Sequence, residues 1–109
     1  MNTEHTEQSN FVKWFRITYP DILIFAIPNG GARGDNPRSC AIRGRLLKDE
    51  GVLSGVPDLF IPKWKMFIEM KSERGCLSVN QKTIIKKLEE CSYTTHVGTF
   101  EEIKKIFTN

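Results

Sequence analysis

The sequence predicts an α/β domain of the α+β kind, a central mixed β-sheet flanked by helices, in the order helix, strand, loop with a helix, two strands, helix, strand, helix. Three observations predict it. Apolar residues recur at helical spacing near both ends and after residue 77, and short β-prone runs of strand length lie between them. The 109 residues suffice for one sheet with its helices but not for two independent cores, so residues 1–109 are read as a single domain.

The elements follow from local pattern. Phe11, Trp14, Phe15 and Ile17 form an apolar stripe over residues 3–18, with Thr3 or Glu4 at the start and Tyr19-Pro20-Asp21 as the break. "ILIFAI" (22–27) reads as a short buried strand, and "PNGGARGDNPRS" (28–39) as a long loop. Residues 39–51 predict a short helix with Ser39 as cap, Ala41, Leu46 and Leu47 as its buried stripe and Gly51 as its stop. "DLFIP" (58–62) and "KMFIEMK" (65–71), joined at Lys63-Trp64-Lys65, predict a tight antiparallel hairpin. Ile84, Ile85 and Leu88 mark an amphipathic helix over 77–91 with Ser78 as N-cap. "YTTHVGT" gives a last strand, and Phe100, Ile103, Ile106 and Phe107 one face of a terminal helix.

Composition narrows the function classes. Hydrophobic content of 39% and charged content of 27% are those of an ordinary globular domain, and no apolar run approaches the roughly 20 residues that span a bilayer. The polar start "MNTEHTEQSN" lacks the basic and apolar regions of a signal peptide, so a cytoplasmic location is expected. Three cysteines without CxxC spacing and two distant histidines indicate neither a zinc site nor a disulfide framework. Net charge is only +3, but Arg33, Arg38, Arg43, Arg45 and Lys48 cluster in one region, with Lys82, Lys86 and Lys87 in a later one. Such clusters suit a polyanion.

The chemistry is concentrated in "GVPDLFIPKWKMFIEMKSERG" (55–75). Side chains two apart on a strand share a face, so Glu69 and Lys71 point one way and Ile68 and Met70 the other. Pairing the two runs as a hairpin brings Asp58 near Glu69. Two adjacent carboxylates remain ionised only if cations compensate them, and Mg²⁺ favours one or two carboxylates with water and phosphate oxygens. Lys71 then orients or deprotonates a water, or stabilises charge developing on a phosphate.

Pro57-Asp58 followed by Glu69-Met70-Lys71 resembles the PD-(D/E)xK nuclease superfamily, and within it the small stand-alone VRR-NUC domains of phages and bacteria. The resemblance extends over "IPNGGAR", "LLKDEGVLSGVPDLFIP" and "FIEMKSERGCLSVNQ" and implies a restriction-endonuclease-like fold. It also implies a Mg²⁺ or Mn²⁺ site made by Asp58 and Glu69, with the Met70 backbone carbonyl as a further ligand and Lys71 as the catalytic lysine. Glu4 matches the acidic residue of the first helix, which completes such sites directly or through water; Glu7 is its rival, and Gln8 matches a family glutamine. Helical spacing leaves these three on neighbouring faces, so the choice stays open. Gln81 matches the glutamine that follows the Glu-x-Lys strand, close to the lysine or substrate.

"NGGARG" is followed by no Gly-Lys-Ser/Thr and is no nucleotide-triphosphate cradle; with Arg33 and the arginines beyond, it suits phosphate contacts without base specificity. The expectation is a divalent-metal-dependent, structure-selective DNA endonuclease, cutting branched DNA such as four-way (Holliday) junctions as a homodimer, as stand-alone members of the family do. Two alternatives are a catalytically inactive DNA-binding or assembly module and an RNA or single-strand nuclease.

Overall fold

A computed structural model describes residues 2–28 and 37–108, the latter without the side chains of residues 37–41 and 43. The chain folds as helix α1 (Glu4–Thr18), strand β1 (Phe25–Ala26), helix α2 (Pro37–Asp49), strands β2 (Leu59–Ile61) and β3 (Met66–Met70), helix α3 (Val79–Glu90), strand β4 (Thr94–Gly98) and helix α4 (Phe100–Phe107). This is the expected order of elements. The four strands form one mixed sheet in the order β1-β2-β3-β4, antiparallel except for the parallel pairing of β3 with β4. None of the described helices is long and apolar enough to cross a membrane.

β3 is one of two internal strands, and the core is built on it. Its even residues Ile68 and Met70 join Leu59 and Ile61 of β2, Ile24, Phe11 and Phe15 of α1 and Ile103 of α4 in one buried cluster. Trp14, Tyr19, Trp64, Phe100 and Phe107 border this cluster, and Tyr19 stands edge-on to Trp64 with ring centroids 5.4 Å apart. Burying each large side chain contributes about 1.5–3 kcal/mol, which makes this aromatic and aliphatic layer the main source of stability.

Both terminal helices are fixed at their starts. Thr3 caps α1 by accepting from the Thr6 amide at 3.2 Å. α4 begins with a reciprocal box in which Thr99 Oγ1 accepts from the Glu102 amide and Glu102 Oε1 from the Thr99 amide. The next amide, that of Phe100, donates to Oε1 of the buried Glu7 at 2.8 Å. A carboxylate from α1 thus satisfies an open donor at the positive end of α4 and ties the two helices together.

Several local expectations need correction. Regular pairing covers only Phe25–Ala26 rather than all of 22–27, and both residues are exposed. β1 is an edge strand, and only Ile24 of this run turns fully into the core. Ile17 is 81% exposed and leaves the α1 stripe to Phe11 and Phe15. In α2, which starts at Pro37 rather than after Ser39, Leu46 is exposed and Leu47 half-buried. Adjacent helical residues point about 100° apart, so Leu47 can be partly covered while Leu46 faces out. Ile106 of α4 is likewise exposed at 42%. The hairpin is closed by a 3-10 turn at Pro62–Trp64 and by Lys65 with φ 50°, a wider connection than a tight turn.

Glu7→Ala is expected to cost about 1–3 kcal/mol in urea unfolding, because it strands the Phe100 amide; Glu7→Gln, whose amide oxygen still accepts, costs less.

Candidate metal and phosphate site

The register of β2 and β3 builds the site. Leu59 pairs with Ile68, so the residue before Leu59 lies across from the residue after Ile68. Asp58 and Glu69 are therefore opposed, as the hairpin reading expects. Asp58 Oδ2 accepts from the Met70 amide at 2.9 Å, which pins this carboxylate to the end of β3. The Lys71 amide donates in the other direction, to the Gly98 carbonyl of β4 at 2.8 Å.

Glu69 and Lys71 are only 2% and 8% exposed. Their charged ends meet at 3.5 Å, between Lys71 Nζ and Glu69 Oε2. Gln81 joins both: its Nε2 donates to Glu69 Oε2 at 3.0 Å, and its Oε1 accepts from Lys71 Nζ at 3.0 Å. The same Oε1 accepts from the Ser78 amide at 2.9 Å, closing a capping box in which Ser78 Oγ accepts from the Gln81 amide. The amide orientation of Gln81 is thereby set by the cap of α3 as well as by the two charges. Gly75 completes this side, because a Cβ there would come within 3.2 Å of Lys71 Cδ and crowd the extended lysine. Sequence reading did not single out Gly75; its signal is a glycine in the turn after a Glu-x-Lys strand.

Among the described residues, the site is short of positive charge. Loss of hydration, then the neighbouring charge of Asp58, push the Glu69 carboxyl up to about 7, against the opposing pull of Lys71. Asp58 is raised as well, chiefly by burial; its bond from Met70 lowers it, Glu4 raises it, and Lys71 and a hydrogen bond with Glu69 lower it. One ammonium thus faces two carboxylates, with a third nearby. Glu69 Oε1 is buried without a hydrogen-bond partner among the described residues. Such an oxygen costs free energy unless a donor or cation meets it.

The helix α1 candidates now separate. Glu4, exposed, acts on the charges of both Asp58 and Glu69, whereas Glu7 is committed to the Phe100 amide and is not available to the site. Gln8 is half-buried on α1, and no hydrogen bond among the described residues joins it to Glu69 or Lys71. Arg45 and Lys48 are exposed on α2. Arg33 lies outside the described residues, as do the side chains of Arg38 and Arg43.

Among the described residues, no group of three or more His, Cys, Asp or Glu side chains is gathered to hold a metal ion. The donor set here is a pair, Asp58 and Glu69, and a pair of carboxylates matches the habit of Mg²⁺, which keeps most of its water. The orphaned Glu69 Oε1 and the excess of negative charge fit a small divalent cation. No protein-family model, curated protein or solved structure matches this chain.

A carboxyl group raised on folding binds its proton more tightly in the folded chain, so its stabilising contribution is full below 4.5 and is lost as pH rises through about 7. Urea unfolding of the metal-free protein across that window is expected to show falling stability, and Glu69→Gln to flatten the fall. An equally steep slope in the variant would assign the effect to other groups.

Proposed function

We propose that this chain is a divalent-metal-dependent, structure-selective DNA endonuclease of the VRR-NUC type, with a restriction-endonuclease-like fold, hydrolysing phosphodiester bonds in branched DNA such as four-way junctions as a homodimer in the cytoplasm. The observation that carries the reading is the buried, unpartnered Glu69 Oε1 beside Asp58, Lys71 and Gln81. A buried carboxylate oxygen that meets no donor costs free energy, and a bound cation would offset that cost.

Asp58 and Glu69 would hold Mg²⁺ or Mn²⁺, with the Met70 carbonyl and Glu4, directly or through water, as further ligands. When bound, the ion supplies Lewis-acid polarisation of a phosphate and a lowered pKa for water. Lys71 contributes its ammonium within reach of Glu69. From there Nζ orients the attacking water, or stabilises the charge that develops on the phosphate oxygens. Gln81 holds Lys71 and Glu69 in fixed relation, so neither side chain must reorganise as the charge develops. Glu4, exposed on α1, adds negative charge that raises both carboxyls and would also attract a cation to the pair. Exposed Arg45 and Lys48, with Arg33, Arg38 and Arg43, are assigned to the DNA backbone, where cationic contacts give affinity without sequence preference.

The test is cleavage of end-labelled linear, flapped and four-way-junction DNA and of RNA, with Mg²⁺, Mn²⁺ or EDTA. Cutting of junctions is expected with metal only, and Glu69→Ala or Lys71→Ala is expected to lower the rate at least 100-fold, the scale of a lost general acid-base or charge-stabilising group. Cleavage that persists in EDTA or in Lys71→Ala contradicts the mechanism. Junction binding without cutting in any metal would instead establish the inactive binding module, and cutting confined to RNA the ribonuclease alternative.

A further inference from the structure

We infer that Asn80 is a positioning residue for Asp58, acting through the turn of residues 54–57. Asn80 is the neighbour of Gln81 in the first turn of α3, but its side chain reaches the opposite half of the site. Its Nδ2 donates to the Ser54 carbonyl at 2.9 Å and to Ser54 Oγ at 2.8 Å. The next residue, Gly55, has φ +93° and lies so close that a Cβ there would sit 3.0 Å from Asn80 Nδ2 and 3.1 Å from the Asn80 backbone carbonyl oxygen. Only glycine takes that backbone conformation without strain and leaves room for the amide.

The tethered turn leads straight into the site. Pro57 is fully buried and has a fixed φ, so little slack separates the Ser54 anchor from Asp58. Asp58 in turn is joined to the residue after β1 through its carbonyl, which accepts from the Ile27 amide at 2.8 Å, and to β3 through the bond from Met70. The first turn of α3 therefore grips both carboxylate-bearing segments. Gln81 holds Glu69 and Lys71 at the end of β3, and Asn80 holds the approach to Asp58. This clamp fixes the spacing of the two carboxylates from one rigid helix end, a role that deepens, and in its function rests on, the reading of the pair as a metal site.

The Met70 amide reports on the claim without any metal, because its hydrogen bond ends on Asp58 Oδ2, whereas the Lys71 amide ends on Gly98 of β4. Amide exchange is measured by NMR on the wild type, Asn80→Ala and Asn80→Asp. The aspartate preserves size and suits the positive end of a helix, so it keeps α3 intact while removing the donor to the Ser54 carbonyl. Expected is at least threefold faster exchange at Met70 in both variants, with Lys71 changed less than threefold. Less than threefold acceleration at Met70 in both variants, or acceleration of Lys71 by the same factor, overturns the inference. The Met70 result together with a wild type that binds no Mn²⁺ would support the clamp and count against the metal reading.

Discussion

The structure depends on one constraint: two carboxylates are held opposite each other at the end of a hairpin with a single ammonium, among the described residues, to balance them. The antiparallel register of β2 and β3 imposes it, because Leu59 opposite Ile68 forces Asp58 opposite Glu69. The odd face of β3 thereby carries the charge while the even face, Ile68 and Met70, is committed to the core. Sliding the strand by one residue would put Glu69 among Phe11, Phe15 and Ile103 and turn Ile68 and Met70 toward Gln81 and Asp58. The apolar residues that flank the charges are what keep the charges in register.

The surrounding elements read as answers to that constraint. α3 brings Gln81, whose amide meets Lys71 with its oxygen and Glu69 with its nitrogen while closing the helix cap at Ser78. Gly75 leaves space for the lysine stem. β4, parallel to β3, receives the Lys71 amide and fixes the end of the strand from its other edge. No side chain among the described residues supplies a partner for Glu69 Oε1, and the proposed cation would meet it there.

The hairpin part of this was legible in the sequence because strand alternation and pairing are local rules: "DLFIP" and "KMFIEMK" contain both the register and the faces. Ser78 was legible for the same reason, as a helix cap, whereas Gln81 was singled out only by the resemblance and its place in the capping box came with the fold. The choice between Glu4 and Glu7 was not. Their positions differ by less than one helical turn, and the choice is made by the Phe100 amide at the far end of the chain. Leu46, Ile17 and Phe25 were misjudged because apolar character and spacing do not say whether a neighbour covers that face. Asn80 escaped notice since an asparagine in a first helical turn is ordinary; its meaning lies in Ser54, brought beside it only by the fold.

The most direct measurement of the central claim is Mn²⁺ binding followed by electron paramagnetic resonance near neutral pH, in the wild type and in Glu69→Gln. The amide keeps the size of the side chain and removes the charge and one anionic oxygen. Saturable binding to the wild type and at least tenfold weaker binding to the variant are expected, the scale on which altering the shell of a metal site acts. No saturable binding to the wild type, or equal affinity in both proteins, would contradict the claim.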